Sequence, residues 1–441
     1  MRAQSLEQAG LSAFPSTGLT GDIQVPGDKS MSHRALILGA LATGETIIEG
    51  LLESDDVLRT LDAVRALGAR IDKRDDGSWR ISGATWRTPV GPIDCGNSGT
   101  AARLLMGAAA GFPLVATFTG DESLRRRPMG RVAEPLAAMG ARFDRHSSFP
   151  ITLRGGGLRG IRYESPTPSA QVKSAILLAG LSTSEAVEVL EPIPSREHTE
   201  DLLKHLGCEV EIVDRSDGRL VRLGAARRLE GKRIVIPGDP SSAAFPIVAA
   251  LITRGSEVTV RGLLDSPTRS GLLTTLLEMG ADIQLTNRRL AGGSAIVDVT
   301  ARSSNLKAVR VPKERAPSMI DEYPVLAVAA AFASGKTIME GIGELRVKES
   351  DRLAAIMAGL ELCGVAARSA GDSLRVYGCN GPPEGGALVR SELDHRIAMA
   401  FLTLGLGASK PVAVDDATMI STSFPDFVGL LRSLGAGIGS C

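Results

Sequence analysis

ALGARI at residues 66–71, AMGARF at 138–143, HLGCEV at 205–210, EMGADI at 278–283, LCGVAA at 362–367 and SLGAGI at 433–438 share one form. In each, the end of a helix-like segment runs through a glycine into a new strand-like segment. The glycines, Gly68, Gly140, Gly207, Gly280, Gly364 and Gly435, lie 72, 67, 73, 84 and 71 residues apart. A period this regular marks one supersecondary unit used six times. Glycine fits the residue just past a helix C-terminus, where a left-handed backbone costs least without a Cβ.

Upstream of each glycine the same parts recur in the same order. A polar turn opens a very apolar helix: DKSMSHRALILGALA (28–42), NSGTAARLLMGAAAG (97–111), PSAQVKSAILLAGL (168–181), DPSSAAFPIVAALI (239–252), IDEYPVLAVAAAFA (320–333) and LDHRIAMAFLTLGLG (393–407). A short β-rich run follows, such as TIIEGLL (46–52) or EVTVRGLL (257–264), and then a second, amphipathic helix reaches the glycine. A strand pair closes the unit, which reads β-α-β-α-β-β. Helices apolar on every side must be buried, whereas the second helices keep one polar face.

The chain of 441 residues exceeds what one core holds. Three repeats apiece give two domains of about 215 residues, within the single-core limit. IPGDPSSAAF (236–245) echoes VPGDKSMSHR (25–34), so the second half reads as a duplicate of the first. The expectation is an α/β protein with a first domain at 22–236 and a second at 1–21 plus 237–441, the N-terminal stub pairing onto the second. A single six-unit solenoid is the competing architecture.

Composition narrows the function. Fifty basic and fifty acidic residues cancel, which argues against nucleic acid or an anionic membrane as partner. Five scattered cysteines without a C-x-x-C predict reduced thiols, a cytoplasmic location and no structural zinc. The first residues lack a signal-peptide pattern. The longest apolar run, Pro324 to Ala333, falls short of the roughly 20 residues that span a bilayer.

The unusual residues gather where the buried helices open: Lys29, Ser30 and Arg34; Asn97, Gly99, Thr100 and Arg103; Ser169, Gln171 and Lys173; Asp321 and Glu322; Asp394, His395 and Arg396. Helix N-termini favour anions. Taken singly, Ser30, Asn97, Ser241 and Ser242 read as helix caps. Capping does not explain Lys29 or Arg396, because a cation at a helix N-terminus is unfavourable by about 0.3–1 kcal/mol without an anion. The fourth opening, with only serines and a proline, reads as merely capped. In GDESLRRRPMGR (120–131), Arg127 next to a helix start is the expected ligand contact, with Arg125 and Arg126 solvated. In LRVKESDRL (345–353), Lys348 and Arg352 read as neighbours on one helical face, with Glu349 beside them. GDKS lacks the upstream glycine of a P-loop, and His198 and His205 lie seven apart with Asp201 between but without an evident third metal ligand.

Taken together, VPGDKSMSHRALILGALA (25–42), GNSGTAAR (96–103), RRPMGR (126–131), SAQVKSAILLAGL (169–181), PGDPSSAAFP (237–246), DEYPVLAVAAAFA (321–333), RVKESDRL (346–353) and DHRIAMAF (394–401) resemble the 5-enolpyruvylshikimate-3-phosphate synthase family, in its bacterial class II branch. The resemblance implies the enolpyruvyl transferase-like inside-out α/β barrel: two similar domains, each of three β-α-β-α-β-β units, with a substrate cleft between them. It implies transfer of the carboxyvinyl group of phosphoenolpyruvate to the 5-hydroxyl of shikimate 3-phosphate, with no cofactor and no metal, by a monomer.

By matching motif, the resemblance makes Asp321 the proton acceptor and Glu349 the proton donor, with Lys29 as a further catalytic group. Lys29, Ser30, Arg34, Ser169, Ala170, Gln171, Arg196, Asp321 and Lys348 match shikimate-phosphate contacts. Lys29, Gly99, Arg127, Gln171, Arg352 and Arg396 match phosphoenolpyruvate contacts. Thr422 stands where many members carry a lysine, and Gly99 stands where glyphosate-tolerant relatives carry alanine; Gly99 implies that glyphosate inhibits, whereas the class II resemblance implies tolerance. Two rivals are the enolpyruvyl transferase that acts on UDP-N-acetylglucosamine and a non-catalytic phosphate- or RNA-end-binding protein. The first typically has Lys-Asn where this chain has Lys29-Ser30, and a cysteine in the loop matching 120–131, which has none here.

Overall fold

The computed structural model describes residues 10–291 and 293–440. They form two compact units. One comprises Gly27–Ile236 with Ala291–Ser294; the other comprises the described chain up to Pro26, Pro237–Leu290 and the chain from Ala295 onward.

Each unit contains three four-stranded sheets. In the sheet of the first repeat, Arg233–Val235 runs parallel to Glu45–Glu49, which pairs antiparallel with Trp79–Ser82 and, through it, with Arg70–Lys73. The other two sheets of this unit repeat the pattern around Val115–Thr119 and Val187–Glu191. The parallel strand of the first repeat comes from the far end of the unit, about 185 residues downstream of its neighbour. The unit is thereby closed on itself.

The other unit is closed by the N-terminal segment. Thr20–Ile23 pairs parallel with Glu257–Leu264, and Leu11–Phe14 lies between Val412–Val414 and Gly437–Ser440, antiparallel to both. Because Thr20–Ile23 is a strand of this unit, the chain leaves it only after Pro26, five residues beyond the expected boundary at 21.

The first helices of the repeats, Lys29–Leu41, Gly99–Ala110, Ala170–Gly180, Pro240–Ile252, Tyr323–Phe332 and His395–Gly407, bury nearly all of their side chains. Small residues let them meet closely: a Cβ on Gly107 would stand 2.5 Å from the Cα of Ala175, so two helices of one unit touch backbone to backbone there. All six periodic glycines have positive φ, from +80° at Gly364 to +122° at Gly68. They end the amphipathic helices as the left-handed backbone requires.

Candidate active site

In five of the six helix openings the residue before the helix caps it. The side chains of Asp28, Ser98, Ser169, Asp239 and Asp394 accept the backbone N–H of Met31, Ala101, Val172, Ser241 and Arg396. The residues read from sequence as caps, Ser30, Asn97, Ser241 and Ser242, do not cap. Each lies one to three positions away from the residue that leaves the helical backbone and caps the helix. The Tyr323 helix lacks a side-chain cap, because the short helix Ala316–Met319 runs into it and the N–H of Glu322 is taken by the carbonyl of Met319.

In the first unit, Lys29 is the first residue of its helix, and its Nζ lies 2.5 Å from Asp56 Oδ2. Asp28 and Asp56 supply the anions that offset a cation against the helix dipole. Arg34 is buried: Nε donates to Thr199 Oγ1 at 2.7 Å, Nη1 to the carbonyl of Ser30 at 2.9 Å and Nη2 to Ser174 Oγ at 2.8 Å. Its guanidinium thus ties the Lys29 helix to the Ala170 helix and to the helix that starts at His198. His33 lies below, with Nδ1 2.7 Å from Thr60 Oγ1. Burial, aided by Lys29 and Arg34, pushes its pKa well below the usual histidine value, so it is neutral at pH 7.

At the Gly99 opening, Arg103 Nη1 donates to Gln171 Oε1 at 2.6 Å, and Gln171 Nε2 donates to Thr100 Oγ1 at 2.9 Å. Arg127 is buried and donates to Asn97 Oδ1 and, at 3.3 Å, to Ser123 Oγ; Asn97 in turn donates to Asp121 Oδ2 at 2.7 Å. Arg127 is the residue that ends the helix Glu122–Arg126, not a residue at a helix start, because the next helix opens only at Gly130. Arg125 and Arg126 are exposed. Ser169, Ala170, Gln171 and Arg196 are all half-buried.

Lys173, grouped by sequence with the ligand-facing residues, has no exposed side-chain surface and pairs with Glu191 and Glu200. It points into the unit rather than toward a ligand.

In the second unit one guanidinium organises three carboxylates. Arg352, with only 1% of its side chain exposed, places Nε 2.8 Å from Asp394 Oδ2, Nη2 2.5 Å from Glu349 Oε2 and Nη1 3.4 Å from Asp321 Oδ1. Lys348 Nζ lies 3.5 Å from the same Asp321 oxygen, and Arg396 Nη1 donates to the Asp321 carbonyl at 3.1 Å. Burial alone would lower the Arg352 pKa, but Asp394 and Glu349 outweigh it and the net direction is upward. The site therefore keeps a permanent cation between its carboxylates.

Lys348 and Arg352 do not share a helical face. Lys348 ends the short 3-10 turn Gly343–Val347, and the α-helix begins only at Arg352, capped by Asp351. The run between them is irregular, and Asp321 brings the two cations together.

The fourth opening is more than capped. Ser241 Oγ donates to Glu322 Oε1, while Arg269 Nη2 donates to Asp239 Oδ1 at 2.7 Å and to Ser241 Oγ at 2.9 Å. All four residues are buried. At the sixth opening, Thr422 is buried beside His395, with Oγ1 3.5 Å from its Nδ1, and donates to the carbonyl of Met419 at 2.7 Å.

Sequence reasoning assigned no ligand or positioning role to Asp56, Thr199, Ser174 or Arg269. Asp394 and Arg103 were flagged only as unusual. A cation against a helix dipole signals that an anion is near, but it does not say which one. The partners lie on other elements of the same repeat, as Asp56 and Arg269 do, or on other repeats, as Thr199 and Ser174 do.

Comparison with known proteins identifies the family. The family model for EPSP synthase (3-phosphoshikimate 1-carboxyvinyltransferase) matches residues 14–431. The 3-phosphoshikimate 1-carboxyvinyltransferase of Caulobacter vibrioides is 57% identical over 435 residues, 97% of this chain and 98% of that protein. That of Phenylobacterium zucineum is 55% identical over 433 residues, 98% of this chain and 96% of that protein. A solved structure of EPSP synthase from Acinetobacter baumannii superposes with a TM-score of 0.85 at 39% identity, covering 98% of this chain and all of that one. With near-complete coverage in sequence and in structure, the chain belongs to the EPSP synthase family.

Proposed function

We propose that this chain transfers the enolpyruvyl group of phosphoenolpyruvate to the 5-hydroxyl of shikimate 3-phosphate and releases phosphate. Asp321 takes the hydroxyl proton as the oxygen attacks C2 of phosphoenolpyruvate, and Glu349 delivers a proton to C3. A methyl proton of the tetrahedral intermediate then returns to Glu349, and the C–O bond to phosphate breaks as the departing phosphate takes the proton held by Asp321, giving the enol ether and restoring both groups. The observation that carries this reading is that one buried guanidinium, Arg352, contacts both carboxylates. A shared cation fixes the spacing of the acid and the base and stabilises charge that passes between them.

On this reading Lys29, Ser30, Ser169, Ala170, Gln171, Arg196, Asp321 and Lys348 contact shikimate 3-phosphate. Lys29, Gly99, Arg127, Gln171, Arg352 and Arg396 contact phosphoenolpyruvate. Lys29 also stabilises developing charge. Arg34 is a further shikimate 3-phosphate contact on this reading and also holds Ser30 and the Ala170 helix in place, where three of its five donors are engaged. Arg103 joins the phosphoenolpyruvate group through Gln171.

The reading extends to a cytoplasmic monomer that needs no cofactor. Cys95, Cys208 and Cys363 are buried free thiols, which supports a reducing compartment, and among the described residues no helix is long and apolar enough to cross a membrane. Sedimentation at assay concentration tests the monomer.

The decisive experiment is phosphate release on mixing the two substrates, with UDP-N-acetylglucosamine as the control acceptor. Asp321→Ala and Glu349→Ala should each slow it on the order of 100- to 10,000-fold. Full activity in both variants would end the acid–base assignment. Activity with the control acceptor alone would end the substrate assignment.

A further inference from the structure

Lys173, Glu191 and Glu200 have no exposed side-chain surface, and the Lys173 ammonium lies 2.7 Å from a carboxylate oxygen of each. The reaction does not use any of them. Three buried charges are costly to desolvate and are seldom retained for stability alone.

What they connect is specific. Lys173 stands on the helix Ala170–Gly180, one turn below Ser169, Ala170 and Gln171. Glu191 ends the strand Val187–Glu191 and also accepts hydrogen bonds from the N–H and the hydroxyl of Ser195. Glu200 lies in the first turn of the helix His198–His205. One ammonium thus pins both ends of the segment 191–200, which carries Arg196, to the helix that opens at Ser169. The adjacent residue strengthens the joint: Ser174 Oγ lies 2.6 Å from Thr199 Oγ1, and Arg34 donates to both.

We infer that Lys173 is a positioning residue for the sugar-phosphate substrate, setting its affinity by holding Arg196 in register with Ser169 and Gln171 without touching the substrate itself. The inference rests on the proposed assignment of Arg196, Ser169 and Gln171 to shikimate 3-phosphate.

The test is a coupling measurement by calorimetry of shikimate 3-phosphate binding to the whole protein. A neutral triple variant, Lys173→Met with Glu191→Gln and Glu200→Gln, removes the charges together and strands none of them. Lys173→Arg keeps the charge but replaces a compact ammonium by a planar fork. It reads the same coupling if the triple variant is unstable. Each variant should weaken binding about tenfold or more, as loss of one charge-assisted contact does. In either background Arg196→Ala should then cost little further, because the contact is already lost.

Unchanged binding in both variants overturns the inference. So does a full, additive cost of Arg196→Ala in the variant backgrounds, which would make the triad merely structural. If Arg196→Ala in the wild type leaves binding unchanged, the substrate assignment itself fails, and the inference falls with it for a separate and visible reason.

Discussion

Arg352 and Asp394 meet as two forks, Nε to Oδ2 at 2.8 Å and Nη2 to Oδ1 at 3.2 Å, with both side chains withdrawn from solvent. The same carboxylate accepts the N–H of Arg396 at 2.9 Å and the hydroxyl of Ser350 at 3.1 Å. Asp394 therefore caps a helix and anchors the cation that spaces Asp321 and Glu349. Bidentate pairing fixes direction as well as distance, so Nη1 and Nη2 of Arg352 are presented to the two carboxylates in a set orientation.

Asp394→Asn keeps an oxygen for the cap but removes the buried charge opposite Arg352. It should destabilise the fold by about 3–5 kcal/mol in urea denaturation. It should also lower kcat, because Arg352 loses the fork that orients it. Stability within about 1 kcal/mol of the wild type would show that other groups compensate the guanidinium.

Gly99→Ala tests what crowds the phosphoenolpyruvate side. A Cβ at this position would stand 2.9 Å from Arg103 Nη1 and 3.2 Å from Arg127 Nη1. Both are ends of flexible side chains, so the variant should fold normally while displacing two cations. The inhibition constant for glyphosate should rise, and the KM for phosphoenolpyruvate should rise by a smaller factor. A wild type already resistant to millimolar glyphosate would sink the first expectation, and an unchanged KM the second.

His33 gives the fold a defined acid sensitivity. Its folded-state pKa is depressed by burial and by Lys29 and Arg34, whereas the unfolded chain titrates near pH 6.5. Between those two values the unfolded state binds more protons. Stability from this group is thus complete above about pH 6.5 and is lost as pH falls toward the depressed value. His33→Gln, which keeps a polar partner for Thr60, should flatten the fall in Tm between about pH 6.5 and 5. An equally steep fall in the variant would place the sensitivity elsewhere.

The turn that delivers Asp394 is strained. Glu392 and Leu393 both adopt left-handed backbone, at φ +52° and +54°, and the N–H of Asp394 closes the turn on the carbonyl of Ser391 at 2.9 Å. Neither residue favours that region, whereas asparagine tolerates it. Leu393 is 60% exposed, so little apolar burial is lost on replacing it. Leu393→Asn should stabilise the protein by about 0.5–1 kcal/mol, read as a rise in Tm with unchanged kcat. A lower Tm would show that the leucine side chain has a packing role.

The repeat was legible because it is local. A glycine after an amphipathic helix, with an apolar helix and a strand before it, is written in consecutive residues, and all six glycines take the positive φ that this pattern demands. The clustering of Lys29, Arg103 and Arg396 at helix openings was legible for the same reason. The caps were misread by one to three residues, since capping depends on which residue leaves the helical backbone and several polar residues compete at each opening. The helical face expected for Lys348 and Arg352 was wrong because the chain makes a 3-10 turn there and restarts its helix at Arg352.

Sequence alone determined the six repeats, their internal order and the helix ends where charge collects, since each follows from periodicity and from backbone preferences within a few residues. Tertiary structure alone decided the pairings. Arg352 finds Asp394 across 42 positions and Arg34 finds Thr199 across 165, while Leu11–Phe14 becomes an inner strand of a sheet formed near the other end of the chain. The physical reason is desolvation. A buried charge must be met by an opposite charge or by hydrogen-bond partners, but the condition fixes only the kind and the distance of the partner, and only the folded chain decides which groups meet it.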